Sequence, residues 1–286
     1  MLATLGWSLS GLFARLLPGL DGWQITCWRG FWLSITLLVY LGLRNGAGLE
    51  QTFKHVPRRA MWVLAICFAI GTTCYVSSLT LVNTATVSII GATSPLVTAM
   101  LSYWLVQEKP SPMNWIAGLL VMIGMALIVP HSYEGNHTWG LLLALAVPIT
   151  FAVQTLLLRR YREFELMTAI CLGGFLSFGL AAFASIVFSE KSAFTLSAYE
   201  MLLLICMGVV QLGLPLIFYG WGAKSVPAVT LALVATLDAV FNPFWSWAFA
   251  NEVPDRDTVV GGSIILAAVV VSIASGQIKR LDPAHP

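Results

Sequence analysis

GATSPLVTAMLSYWLVQEKPSPMNWIAGLL, residues 91–120, lines up position for position with ATLDAVFNPFWSWAFANEVPDRDTVVGGSI, residues 235–264, when the chain is slid on itself by 144 residues. Each stretch is an apolar run, a short turn with an acid and a proline (Glu108-Lys109-Pro110-Ser111 against Glu252-Val253-Pro254-Asp255), and a second apolar run. The register extends outward without a gap. It pairs Tyr75 with Tyr219, Val82 with Val226, Thr86 with Thr230, Ser102 with Ser246 and Gly118 with Gly262. An internal repeat is the first thing to settle in such a sequence, because it decides the architecture.

The composition says what kind of repeat this is. Of 286 residues, 58% are hydrophobic and 10% charged, whereas a soluble domain carries roughly a quarter charged. A helix needs about 20 apolar residues to cross a bilayer core. Runs of that size fall at 1–17, 23–43, 60–82, 84–106 and 113–130, and again at 138–158, 166–188, 199–223, 226–250 and 257–277. The expected fold class is an all-α integral membrane protein of ten transmembrane helices. It is arranged as two five-helix repeats, 1–130 and 138–277, with 278–286 as a tail. The first run has no basic leader and no small-residue cleavage site after it, so it reads as a span and not a signal peptide.

Loop charge sets the orientation. Arg44, Lys54, Arg58, Arg59, Lys109, Arg159, Arg160, Arg162, Lys224, Lys279 and Arg280 fall on one side; Lys191 and Arg256 fall on the other. Both termini are therefore expected in the cytoplasm, with the protein in a plasma membrane, the inner membrane of a bacterium. Five is odd, so the second repeat enters the membrane from the opposite face, the inverted-repeat plan of many secondary transporters. Trp23, Trp62, Trp115, Trp139 and Trp221 sit near span ends and read as interfacial anchors.

Several function classes are excluded. A net charge of +2 gives no field to hold nucleic acid. The five cysteines (Cys27, Cys67, Cys74, Cys171, Cys206) lie in apolar runs without CxxC or His at metal-ligand spacing, so no metal and no cofactor is expected. No phosphate-binding Gly-rich loop supports an ATP-driven pump, and His55, His131, His137 and His285 all lie in loops or the tail. An intramembrane enzyme needs a constellation of groups that the spans lack. A channel or a non-transporting membrane subunit is the main alternative to a transporter, and an intramembrane enzyme the lesser one.

The order of short motifs resembles the EamA-type branch of the drug/metabolite transporter superfamily. Gly6-Trp7-Ser8 in the first span, Trp28-Arg29 in the second, Pro95 followed by Glu108, then Trp115, Gly118 and Gly124, and Asn242-Pro243-Phe244-Trp245 before Glu252 carry the likeness. The resemblance implies ten helices, small metabolites such as amino acids as substrates, and frequently export. The chain departs from the pattern at Ala239, where the repeat would place the counterpart of Pro95.

Polar groups inside the spans are the candidate site residues. An acid at mid-membrane costs about 2.5–3.5 kcal/mol on insertion scales, which makes Asp238 the leading candidate, with a coupling proton or a substrate amine as its partner. Asn242 and Trp245 follow at i+4 and i+7 on one face, and the repeat places Ser94 and Thr98 opposite Asp238 and Asn242. Arg29 lies about 10 Å deep at about 1.5 Å per residue; a snorkelling anchor, an anion site and an ion pair with Asp238 are its three readings. Tyr75 and Ser78 form a stripe with Gly71, and Tyr219 a stripe with Pro215 and Gly222, either as cavity wall or as core. Pro95, Pro148, Pro215 and Pro243 are the expected helix breaks or hinges. The lipid bilayer and a small-molecule substrate are the expected partners, with protons as the candidate coupling ion.

Overall fold

The computed structural model describes residues 2–17, 19–81, 87, 90–107, 109–128, 138–161, 164–165, 167–188, 194, 196–238, 241, 245 and 256–281. Their regular structure is helical, with no strand among the described residues. In chain order the helices are α1 (Leu2–Trp7), α2 (Ser10–Leu16), α3 (Gly22–Asn45), α4 (Leu49–His55), α5 (Arg58–Leu81), α6 (Ser94–Val106) and α7 (Pro112–Ile128). They continue with α8 (Thr138–Arg160), α9 (Met167–Phe188), α10 (Ala198–Cys206), α11 (Leu214–Ser225), α12 (Ala228–Ala235) and α13 (Arg256–Leu281). Five stretches are long and apolar enough to cross a membrane: Gly22–Asn45, Arg58–Ser78, Thr138–Arg160, Met167–Val187 and Ala198–Ser225. Shorter apolar helices, Ser94–Val106, Pro112–Leu127 and Val259–Val271, accompany them. In lipid the backbone must satisfy its own hydrogen bonds, which is why such sequences form helices and nothing else.

Two helices open with a capping box. Asp21 accepts from the Gln24 amide at 2.8 Å while the Gln24 side chain accepts from the Asp21 amide at 3.1 Å. Ser197 and Glu200 repeat the arrangement at the start of α10, with distances of 3.2 and 2.7 Å. Each box supplies partners for amides that the first turn leaves open.

The packing interleaves the two halves of the chain. Helix α9 lies along α3, α13 along α7, α8 against α5 and α6, α11 against α1, and α12 against α6. Leu33, Leu37, Leu64, Leu156 and Ile170 are fully buried between these layers. Close approach at the α3–α9 crossing depends on Gly30 and Gly174, residues 144 apart: a Cβ on Gly174 would meet the Gly30 carbonyl at 2.9 Å. Alongside, Ser34 Oγ donates to the Cys171 carbonyl at 2.8 Å. Small residues and buried hydroxyls of this kind hold helices together where lipid offers no hydrophobic driving force. The outside is apolar instead. Leu43, Trp104, Trp139 and Ile186 are 85%, 78%, 76% and 71% exposed, as a lipid-facing surface requires. Trp62, Trp115 and Trp221 are also exposed at helix ends.

The helices ending in Asn45, Val106, Arg160 and Ser225 finish at one end of the molecule. There Arg44 pairs with Glu165, Lys224 lies 3.8 Å from the same carboxylate, and Arg160 Nη1 donates to the Leu105 carbonyl at 2.6 Å.

Two spans differ from the simple rods read in the sequence, and a third lacks an expected break. The first breaks at Ser8–Leu9, where Ser8 Oγ turns back onto the Leu5 carbonyl at 2.8 Å and the Leu9 amide reaches Gly6 at 3.2 Å. The eighth passes through a π-helical segment, Met207–Gly213, just before Pro215. Proline lacks the amide that the preceding turn needs, and a wider turn accommodates that loss. These two irregularities touch, since Gly6 leaves room for the Pro215 ring. The repeat sends Gly6 to Thr150 and Pro215 to Gly71, and Gly71 packs against Thr150 in the α5–α8 crossing. Pro148, expected as a break, leaves α8 continuous. The physical reason is that the proline removes a single amide bond, the one to the Ala144 carbonyl, and the intact turns on either side carry the helix across while it packs against α5 and α6.

Candidate functional site

Helices 4 and 9 of the sequence reading loosen at the same register. The Thr93 amide bonds the Ile90 carbonyl at 3.1 Å, and 144 residues later the Leu237 amide bonds the Val234 carbonyl at 3.2 Å, both i to i+3 contacts that tighten the chain. Thr93 and Thr236 hydroxyls reinforce the two turns by bonding the carbonyls three residues back, at 2.6 and 2.7 Å. Pro95 then stands in the first turn of α6, where no amide is required of it. Asp238 emerges directly after the second turn, without a proline at Ala239. Discontinuous helices at mid-span are where transporters expose polar backbone and side chains to a ligand.

Arg29 is the strongest charge in this region. It is 7% exposed, and its Nη2 donates to Thr72 Oγ1 at 2.8 Å. The guanidinium makes no ion pair with a described carboxylate. Tyr75, one turn from Thr72 on α5, lies in electrostatic range of both Arg29 and Asp238. A cation from α3 and an acid from the middle of the ninth span thus both lie near the Tyr75 phenol on α5. Thr72 was not singled out by the sequence; only its place three residues before Tyr75 could have pointed to it.

The other expected residues are placed differently. Ser78 and Thr98 are fully buried and Ser94 nearly so, and their hydroxyls bond helix carbonyls of Tyr75, Ser94 and Gly91. This is the usual local use of such groups. Trp245 Nε1 donates to Ser8 Oγ at 2.7 Å, fastening the ninth span to the break in the first. Asn242 and Pro243 lie outside the described residues. Tyr219 separates from its mate Tyr75. It is 5% exposed, bonds Thr155 Oγ1 at 2.7 Å, and packs against Trp7 and Phe151 at ring-centroid distances of 5.0 and 5.7 Å.

That aromatic cluster leads to a second polar locus. Gln211, in the π segment, is 3% exposed and its Nε2 reaches the Trp7 carbonyl at 3.4 Å. Its Oε1 and the Trp7 Nε1 are buried without a hydrogen-bond partner among the described residues. Leaving such atoms unsatisfied costs about 1–3 kcal/mol each, and π segments recur at functional sites. Neither group was legible as more than helix packing, because the signal is the wide turn itself.

Tyr219→Phe removes one buried hydrogen bond, so a loss of about 1 kcal/mol of stability is expected. Tyr219→Ala also empties the ring cluster and is expected to cost about 3–5 kcal/mol. Thermal unfolding followed by size-exclusion chromatography of the solubilised variants checks both. Full stability of the Ala variant would remove Tyr219 from the core.

No group of three or more His, Cys, Asp or Glu able to hold a metal occurs among the described residues. The cysteines are free thiols.

Comparison with known proteins identifies the family. The chain is 26% identical over 271 residues to an S-adenosylmethionine uptake transporter of Rickettsia prowazekii (strain Madrid E), covering 93% of this chain and 87% of the relative. It is 28% identical over 252 residues to the pseudopaline exporter CntI of Pseudomonas aeruginosa (strain UCBPP-PA14), covering 86% and 83%. One solved crystal structure superposes with a TM-score of 0.82 over 96% of this chain and 95% of the other, at 20% identity, which establishes the shared fold alone. The sequence profile of the EamA-like transporter family matches residues 1–129 and again 138–274. With both stretches covered, this multi-pass membrane protein belongs to the EamA-like transporter family.

Proposed function

We propose that the chain is a secondary transporter that exports amino acids or similar small zwitterionic metabolites by alternating access through a central cavity between two inverted five-helix repeats. The observation that carries the reading is Arg29, a buried cation at depth with no ion-pair partner among the described residues, which shares Tyr75 with Asp238. A guanidinium suits a substrate carboxylate and an acid suits an ammonium. A zwitterion satisfies both at once. The inverted repeat draws support from contacts that map onto themselves under the 144-residue shift: Gly30 with Gly174, and Gly6–Pro215 with Gly71–Thr150. The ten spans draw support from helices within each of the ten apolar stretches.

A ligand panel tests the site. Zwitterionic amino acids are expected to raise the thermal unfolding temperature of the solubilised protein, while their methyl esters and decarboxylated amines lose most of that shift. Equal stabilisation by esters and acids would count against Arg29 as the carboxylate partner.

Orientation rests on the loop charges, with both termini proposed in the cytoplasm. Asn136→Cys, between the repeats, is expected to react with an impermeant maleimide added outside cells. Labelling only after the membrane is opened would invert the topology.

A further inference from the structure

At the basic end of the molecule, a groove of about 510 Å³ is lined by Tyr40, Leu43, Arg44 and Trp221. We propose that it is a binding site for the phosphate headgroup of an anionic phospholipid drawn from the adjoining leaflet. Three observations converge on that occupant.

The first is the Tyr40 hydroxyl. It accepts from Arg44 Nη1 at 2.9 Å and from Trp221 Nε1 at 2.9 Å. Both lone pairs are used, so the hydroxyl proton remains as a donor with no described acceptor. The second is charge. Arg44 pairs with Glu165, and Lys224 stands 3.8 Å from the same carboxylate oxygen, so two cations share one acid. A phosphate diester matches this surplus through charge-assisted bonds to a cation and a hydroxyl. The third is the surroundings. Leu43 is 85% exposed, Trp221 50% and Phe218 36%, an apolar outer wall at helix ends that can receive acyl chains below the headgroup. Basic pockets between transmembrane helices are suited to such headgroups. The groove joins the end of α3 to the end of α11, so an occupant bridges elements of both halves of the chain.

Native mass spectrometry of the intact, detergent-purified protein tests the site. The probes are phosphatidylglycerol, phosphatidylcholine and inorganic phosphate. Phosphatidylglycerol is expected to bind more tightly than phosphatidylcholine, and inorganic phosphate in excess is expected not to displace it. Arg44→Gln should weaken phosphatidylglycerol binding by about tenfold, the loss of one charge-assisted bond. Tyr40→Phe, which keeps the ring, should weaken it by a smaller factor. Glu165→Gln should strengthen it, because it releases both cations. That opposite sign separates ligand binding from a purely structural ion pair, whose loss would act in the same direction from either partner. Unchanged phosphatidylglycerol binding in Arg44→Gln and Tyr40→Phe overturns the proposal, as does weaker binding in a folded Glu165→Gln. Displacement by inorganic phosphate would assign the groove to a soluble anion and overturn the lipid reading.

Discussion

Arg29→Gln is expected to abolish transport while leaving the protein folded. If the guanidinium holds a substrate carboxylate, truncating that buried charge pair removes about 2–5 kcal/mol of binding, or about 30-fold to several thousandfold in apparent affinity. Folding should not suffer in proportion. The described structure gives the guanidinium one side-chain bond, to Thr72 at 2.8 Å, and glutamine can retain a bond there. A buried cation without an ion-pair partner is itself a burden on stability, so the unfolding temperature is expected to hold or rise. Such an exchange of stability for activity is common at binding sites. Transport per folded molecule, measured beside thermal unfolding, checks the prediction. Wild-type transport by Arg29→Gln would return Arg29 to the snorkelling reading.

Asp238→Asn carries the second large effect, and its form distinguishes two roles. If the carboxylate carries a coupling proton, the amide variant keeps shape and hydrogen bonding yet loses the response of flux to a pH gradient. Asp238→Glu then keeps part of the coupling. If the carboxylate instead pairs with a substrate ammonium, the Asn variant loses affinity for cationic and zwitterionic substrates by about 10-fold to 100-fold and retains neutral ones. Wild-type handling of every accepted substrate, with coupling intact, would make Asp238 structural.

Much of the architecture was legible because membrane helices leave a coarse signal. Apolar runs separated by basic turns placed the helices, and Trp62, Trp115, Trp139 and Trp221 stand exposed at their ends. The breaks were less legible. Proline was the expected marker, yet α8 runs through Pro148, while the turn before Asp238 forms without a proline. Its sign is the Thr236 hydroxyl folding back on Leu233, a choice that depends on tertiary surroundings. The site divided in the same way. Arg29, Tyr75 and Asp238 announced themselves as polar groups at depth, and the structure puts Tyr75 within electrostatic range of each of the other two. Tyr219 looked equivalent to Tyr75 by the repeat, but Trp7 and Phe151 close over it. Gln211 reaches the Trp7 carbonyl from a π turn. Sequence periodicity cannot show a helix that changes its period.

The most direct test of the central claim is counterflow in liposomes containing only the purified chain. Labelled zwitterionic amino acids are offered outside, with unlabelled substrate inside and a pH gradient present or absent. A secondary transporter with this site predicts saturable accumulation that unlabelled internal substrate accelerates and that Arg29→Gln eliminates. Flux that rises linearly with concentration and ignores internal substrate, or no flux for any member of the panel, would contradict it.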